Sequence, residues 1–223
     1  MPMMMGAPLP VSMFNLPLLV SKLGGNDGAE DQRNALGIIS HLSFWGSGER
    51  VAAVTSAGAI PPLVQLLGSG SAAEVQEKAA QALWGLSRVD AMNAVAIAAA
   101  GAISPLVQLL GPGSPAGVRE KAAGALETLA KNRENAVTIV AAGAIPALLQ
   151  LLSRGSSAEA TSAAAALWCL SQNDENAAAF AAAGAFPLLR ASRAMASFLR
   201  LRWFLLAAIL AILAALYVKV VHG

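Results

Sequence analysis

The phrase Gly-Ala-Ile-Pro, with close variants, recurs four times, and no other feature of the chain restricts its fold as strongly. The copies are Gly58-Ala59-Ile60-Pro61, Gly101-Ala102-Ile103-Ser104, Gly143-Ala144-Ile145-Pro146 and Gly184-Ala185-Phe186-Pro187, so the first glycines advance in steps of 43, 42 and 41 residues. A partial earlier copy, Leu16-Pro17-Leu18-Leu19-Val20, aligns with Ile60-Pro61-Pro62-Leu63-Val64 at a spacing of 44. A repeat of about 40–47 residues is the period of stacked two- or three-helix units.

The residues between the glycines favour helix. Hydrophobic residues make up 56% of the chain and aromatics only 5%, so alanine carries much of the apolar content. Alanine and leucine are strong helix formers, and small side chains let helices approach closely. In the unit that opens at Gly58, Leu63, Val64, Leu66 and Leu67 form a short apolar helix with proline in its first turn, where a missing N–H costs nothing. Gly68-Ser69-Gly70 breaks it. Ser71 and Glu74 then have capping-box spacing, as do Ser156 with Glu159 and, with aspartate in the serine's place, Asp27 with Glu30. A longer helix runs to about Arg88, with Ala79, Ala82, Leu83 and Leu86 at i, i+3, i+4 and i+7. A short helix, from about Asp90 to Ala100, stops at Gly101, where a left-handed residue is needed. No such unit buries its apolar stripe alone, so neighbours must stack.

The Gly-Ala-Ile-Pro phrase, the Leu-rich helix after it and the segment Gln81-Ala82-Leu83-Trp84-Gly85-Leu86-Ser87 together resemble armadillo repeats. The likeness is greatest to the vacuolar-membrane and plant ubiquitin-ligase armadillo proteins, and it covers roughly residues 16–190. It implies an all-α fold, an armadillo-type α-solenoid wound as a right-handed superhelix of three-helix repeats, with about three full and two partial repeats. Residues 1–15 read as a loose N-terminal segment, 191–202 as an Arg-rich juxtamembrane segment and 203–221 as a single apolar helix.

The resemblance also implies a function. Armadillo solenoids bind extended peptides or partner helices in a concave groove lined by the third helix of each repeat, which is the long helix here. Opposite the apolar stripe, helical geometry places Glu77, Gln81, Trp84 and Arg88 in one unit. The equivalents are Glu120, Gly124, Glu127 and Lys131 in the next unit, then Thr161, Ala165, Trp168 and Gln172. The first unit offers Arg33, Gly37, Ser40 and Phe44. Trp84 and Trp168 thus flank Glu127, a row suited to a protein or peptide partner with apolar anchors around a basic residue. The competing reading is that each tryptophan packs across the joint between repeats. Nuclear-import adaptors carry an asparagine ladder on these helices. The matching positions here are His41, Gly85, Thr128 and Cys169, so import-signal binding of that kind is not expected.

Trp203 to Val218 carries no charge, and past Lys219 the apolar stretch reaches Val221. That is near the length of about 20 residues that spans a bilayer. Leu205, Leu206, Ile209, Leu213 and Leu216 lie between Trp203 and Tyr217, which stand where interfacial aromatics stand. Arg190, Arg193, Arg200 and Arg202 precede it. The expectation is a single-pass C-terminal anchor in an intracellular membrane, touching lipid and holding the solenoid in the cytosol. A helix that closes the open end of the solenoid, or a tail foreign to the fold, fits the same stretch.

Catalytic and cofactor patterns are weak. Residues 1–189 hold ten Lys or Arg against thirteen Asp or Glu, so the net charge of +2 comes from the tail, and nucleic-acid binding is not expected. Met1 to Met5 show no basic leader of a secretory signal, and Pro2 replaces the glycine that myristoylation requires. Gly68 to Ala73 and Gly111 to Ala116 mimic a dinucleotide-binding turn but follow helices rather than strands. The two histidines, His41 and His222, are far apart in sequence, and Cys169 is the single cysteine. No cofactor, metal or acid–base pair is indicated, and the leading reading is a non-enzymatic scaffold. A soluble armadillo fragment, or the substrate arm of a ubiquitin ligase whose catalytic module lies elsewhere, is the alternative.

Overall fold

A computed structural model describes residues 14–24, 28–68 and 70–184. Every regular element among them is helical, and the helices fall into four triplets. The first is α1 (Leu16–Lys22), α2 (Ala29–Trp45) and α3 (Gly48–Ser56). The second is α4 (Ile60–Gln65), α5 (Ala73–Val89) and α6 (Ala91–Ala99). The third is α7 (Ile103–Leu109), α8 (Ala116–Leu129) and α9 (Arg133–Ala141). The fourth is α10 (Ala144–Arg154), α11 (Ser157–Ser171) and α12 (Ala177–Ala182), with a 3-10 turn at Asp174–Asn176. Residues 1–13, the Arg-rich segment 191–202 and the apolar stretch 203–221 lie outside the described residues. Among those described, no single helix is long and apolar enough to cross a membrane.

The glycine corners behave as their spacing requires. Gly58, Gly101, Gly143 and Gly184 have φ of +79°, +85°, +84° and +60°, so each repeat turns through the same left-handed residue. Pro61 and Pro62 sit in the first turn of α4, and Pro17 sits in that of α1. The predicted stripe of α5 is fully buried, as are its counterparts Ala122 and Leu126 in α8 and Ala163 and Leu167 in α11. The long helices lie side by side in the order α2, α5, α8, α11, each packed chiefly on the next. The alanines in each stripe let leucines from the neighbouring helices fill one continuous core.

Two caps differ from expectation. Helix α5 begins at Ala73 with Ala72 as N-cap and no side-chain cap, so Ser71 and Glu74 form no capping box. The Ser71 N–H instead donates to the Gly68 carbonyl at 3.0 Å, which holds Ser71 in the preceding turn, one residue too early to cap. The Gln76 amide closes the same corner, donating to Gly68 O at 2.8 Å. The N-cap of α2 is Gly28, without a side-chain bond, and Asp27 lies outside the described residues. At α11 the box is complete. Glu159 N–H donates to Ser156 Oγ at 3.3 Å, and Ser156 N–H donates to Glu159 Oε2 at 2.7 Å.

Seven side-chain hydrogen bonds that cross between triplets join residues 40 to 44 apart. Asn93, Asn135 and Asn176, near the starts of successive triplet-closing segments, are buried. Asn93 and Asn176 donate to the Leu86 and Leu170 carbonyls near the ends of the long helices, at 3.1 and 2.9 Å. Asn135 donates across the joint to Ala94 O at 3.2 Å. The Asn93 and Asn176 amides thus serve carbonyls in the last turns of α5 and α11, where intrahelical donors run short, and Asn135 adds a bond that links α9 to α6.

Candidate partner groove

The residues opposite the buried stripe differ in exposure. Glu77, Gln81, Trp84, Glu120, Glu127 and Trp168 are half-buried, while Arg88, Lys131, Thr161 and Gln172 are exposed. Because each long helix lies against the next, these side chains form one surface across α5, α8 and α11.

Contacts show how much of that surface is already used by the fold. The Trp84 ring packs edge-on against Phe44 of α2, with centroids 4.9 Å apart. Its other side rests on Gly124 of α8, where an added Cβ would lie 2.6 Å from the ring. Lys121 Nζ stands 5.8 Å from the ring centroid. Trp84 therefore ties three long helices together while keeping part of its ring in water. Arg88 is also engaged. It donates to the Phe44 carbonyl at 2.8 Å, and its guanidinium lies over the Phe44 ring at 4.8 Å. Ser40, at the position equivalent to Trp84, donates instead to Gln81 Oε1 at 3.0 Å. Phe44 itself is buried beneath these groups rather than offered to a partner.

Glu127 sits between the two tryptophan positions. Burial pushes its carboxyl above the ordinary range, against the opposing charges of Lys131, 3.8 Å away, and Arg88. A carboxylate with a raised folded pKa weakens the fold at pH values where it is ionised. Glu127→Gln is thus expected to melt slightly above wild type at pH 7. The gap should close as pH falls below the ordinary carboxylate range, where both side chains are neutral. A gap that is constant with pH in thermal melts would show that the burial of charge is not its cause.

The positions of the asparagine ladder are otherwise occupied. His41 is exposed, and Gly85 is pressed against the Ser43 backbone. The Thr128 hydroxyl shares a buried hydrogen bond with Ser87. Cys169 packs against the core, and burial, with Glu127 adding to it and Lys131 opposing, raises its thiol pKa. That favours the neutral thiol over the nucleophilic thiolate. Cys169 also lines a cleft of about 380 Å³ with Lys131, Gln172 and Asn173. Among the described residues no three His, Cys, Asp or Glu side chains are grouped to hold a metal ion. The Gly111 to Ala116 segment is the turn between α7 and α8, not a strand-to-helix phosphate loop.

The comparisons agree with this architecture. The family described as Armadillo/beta-catenin-like repeat matches residues 49–88, 90–131 and 132–172. A splicing regulator, ARVCF of Rattus norvegicus, is 37% identical over 80 residues, which is 36% of this chain and 8% of that protein. The chain thus matches only a small part of that relative's length. A designed armadillo repeat protein, YIII(Dq.V1)4CPAF in complex with the peptide (KR)4, is 29% identical at a TM-score of 0.73, covering 82% of this chain and 77% of its own. A computationally designed armadillo repeat protein for modular peptide recognition is 29% identical at a TM-score of 0.74, covering 81% and 77%. With three consecutive matches over more than half its length, the chain belongs to the armadillo/beta-catenin-like repeat family.

Proposed function

We propose that this chain is a non-enzymatic scaffold that binds a partner protein or extended peptide along the face of α2, α5, α8 and α11. The observation that carries the reading is the continuous, partly exposed row Trp84, Glu127 and Trp168 on adjacent helices, in a fold whose designed relative is named for its complex with a peptide. The exposed Arg88, Lys131, Thr161 and Gln172 supply the polar rim that surrounds such an anchor row. In this reading 203–221 tethers the solenoid to an intracellular membrane. Its length, its charge-free run and the arginines before it support that placement.

Two experiments test the two halves. Affinity capture with wild type and with a Glu127→Lys, Trp168→Ala double variant is expected to show loss of the bound set in the variant. An unchanged bound set removes the groove from the proposal. Trp84 is left intact because its removal would disturb the packing of three helices. Carbonate extraction of membranes should leave the full-length chain in the pellet, and its release to the supernatant would refute the anchor.

A further inference from the structure

The segments that close the four triplets begin at equivalent points of the repeat. In three of them the first turn carries an acid, Glu49, Glu134 or Glu175, at the helix end where the dipole favours negative charge. Counted in the steps of 43, 42 and 41 that separate the glycine corners, the matching residue of α6 is Met92. Helix α6 has no acid in its first turn and no charged residue along its length. Met92 is 72% exposed.

Its neighbours widen the apolar face. Val89, just before α6, and Val95, within it, are also exposed. So are Ala96 and Ala99, and positions 92, 95, 96 and 99 form one stripe of the helix. Val89, Met92 and Val95 are half of the large hydrophobic side chains that stand exposed among the described residues, and the others lie on α1 and α2. The counterpart helix α9 instead turns Arg133, Glu134 and Thr138 to water. A contiguous apolar face of this kind marks a contact surface.

Size and charge decide what covers it. Nine residues of helix give a face about 14 Å long and 10 Å wide. That is far below the surface of about 800 Å² per partner that a stable interface between separate molecules buries. A second copy or a free protein would therefore be held weakly. A segment of the same chain escapes that limit, because tethering supplies an effective concentration on the order of millimolar. Trp203 to Val218, outside the described residues, is such a segment, with no charge along it. Residues 185–202 separate it from Gly184, enough chain to span up to about 60 Å. Helix α6 lies two triplets back from α12, roughly 20 Å at the usual spacing of neighbouring helices.

We propose that the outward face of α6 is the docking site of the chain's own apolar stretch 203–221, which covers Met92 and Val95 whenever no bilayer takes it up. A charge-free face meets a charge-free segment, so the contact strands no ion away from water. Docking and membrane insertion then compete for one segment. The docking stands by itself, and the competition rests on the membrane reading.

The test is the rate at which dilute hydrogen peroxide oxidises Met92 in the full chain, read by mass spectrometry of its peptide. Met92 is the only methionine among the described residues. Without membranes, wild type should oxidise there about tenfold more slowly than an Ile209→Lys, Leu213→Lys variant, as for a site covered about nine-tenths of the time. Equal rates would overturn the docking. Protection that is lost on dilution would assign the face to a second copy and overturn it as well. Phosphatidylcholine vesicles should capture wild type and raise its rate to that of the tail variant. Vesicles that capture the chain while Met92 stays protected would show that something other than the stretch covers α6. If the vesicles capture nothing and Met92 stays protected only with the native tail, the docking holds and the membrane reading falls. Met92→Glu restores the acid of the other triplets at an exposed site. It should melt no lower than wild type and raise vesicle capture at limiting lipid, and unchanged capture there would count against the competition.

Discussion

Gly85→Val is expected to destabilise the protein by about 3 kcal/mol, the upper part of the range for overpacking a close-packed interior. The new Cβ would be directed at the backbone of Ser43 and at Phe44 Cα, 2.7 Å away, and helix backbone cannot rotate aside as a side chain can. Relief requires α5 to move off α2, which also separates Phe44 from Trp84 and stretches the bonds from Arg88 to Phe44 O and from Ser40 to Gln81. Urea unfolding followed by tryptophan emission measures the loss. Trp45 and Trp84 lie at the affected joint, so a background with Trp168→Phe and Trp203→Phe, which removes the other two of the four tryptophans, reports the joint more selectively. A loss under about 1 kcal/mol would mean that the joint opens to admit a whole isopropyl group, which close packing of α5 on α2 does not allow. Gly124→Ala provides the contrast. Its neighbour is the ring of Trp84, which can swing outward, so the fold should lose less while the emission of Trp84 shifts toward that of an exposed indole.

Arg119→Ala is expected to cost a similar amount, about 3 kcal/mol, at the low end for breaking a buried pair because the arginine is partly exposed. Glu159 is only 2% exposed, and Arg119 Nε donates to its Oε1 at 2.6 Å across the α8–α11 joint. The same guanidinium donates to the Ser114 carbonyl at 2.5 Å, closing the turn that leads into α8. Burial works to raise the Glu159 carboxyl, but hydrogen bonds from Arg119 and Ser156, together with the Arg119 charge, reverse this and hold it below the ordinary value. A folded pKa below the unfolded one adds stability above the unfolded pKa and loses it as pH falls through the folded one. The gap between wild type and Arg119→Ala should therefore be widest near neutrality and shrink on acidification below the ordinary carboxylate range. Glu159→Gln should cost less, since the part-exposed Arg119 can turn to water. Equal losses for the two variants, or an Arg119→Ala variant within 1 kcal/mol of wild type, would show that the pair is not what joins the last two long helices.

The features visible in the sequence are those set by local rules. A helix that must end and turn needs a left-handed residue, so Gly58, Gly101 and Gly143 mark the corners in the sequence itself. The period of 3.6 residues gave both the buried stripe of α5 and its opposite face. What stayed hidden depends on how neighbouring helices are staggered. Trp84 meets Phe44 and Gly124 at sequence offsets of 40, not at the repeat spacing of 41 to 44, so aligning the copies pairs it with Glu127 and Trp168 and misses its real contacts. The capping box proposed at Ser71 failed for a similar reason, because the turn before α5 holds Ser71 by its own backbone bond. Asn93, Asn135 and Asn176 recur at steps of 42 and 41, a repeating polar position whose burial depends on how each triplet closes and not on the helical period.

The 40–44-residue spacing of these seven cross-triplet bonds has a kinetic consequence. Each long helix can find its partner by closing a loop of one unit, and that search does not lengthen as units are added. Absolute contact distance stays fixed while relative contact order falls with every added copy, which places such chains among those whose assembly is limited by local events and not by chain length. The first adjacent pair of long helices to dock would serve as the nucleus, and ordering would spread outward from it in both directions.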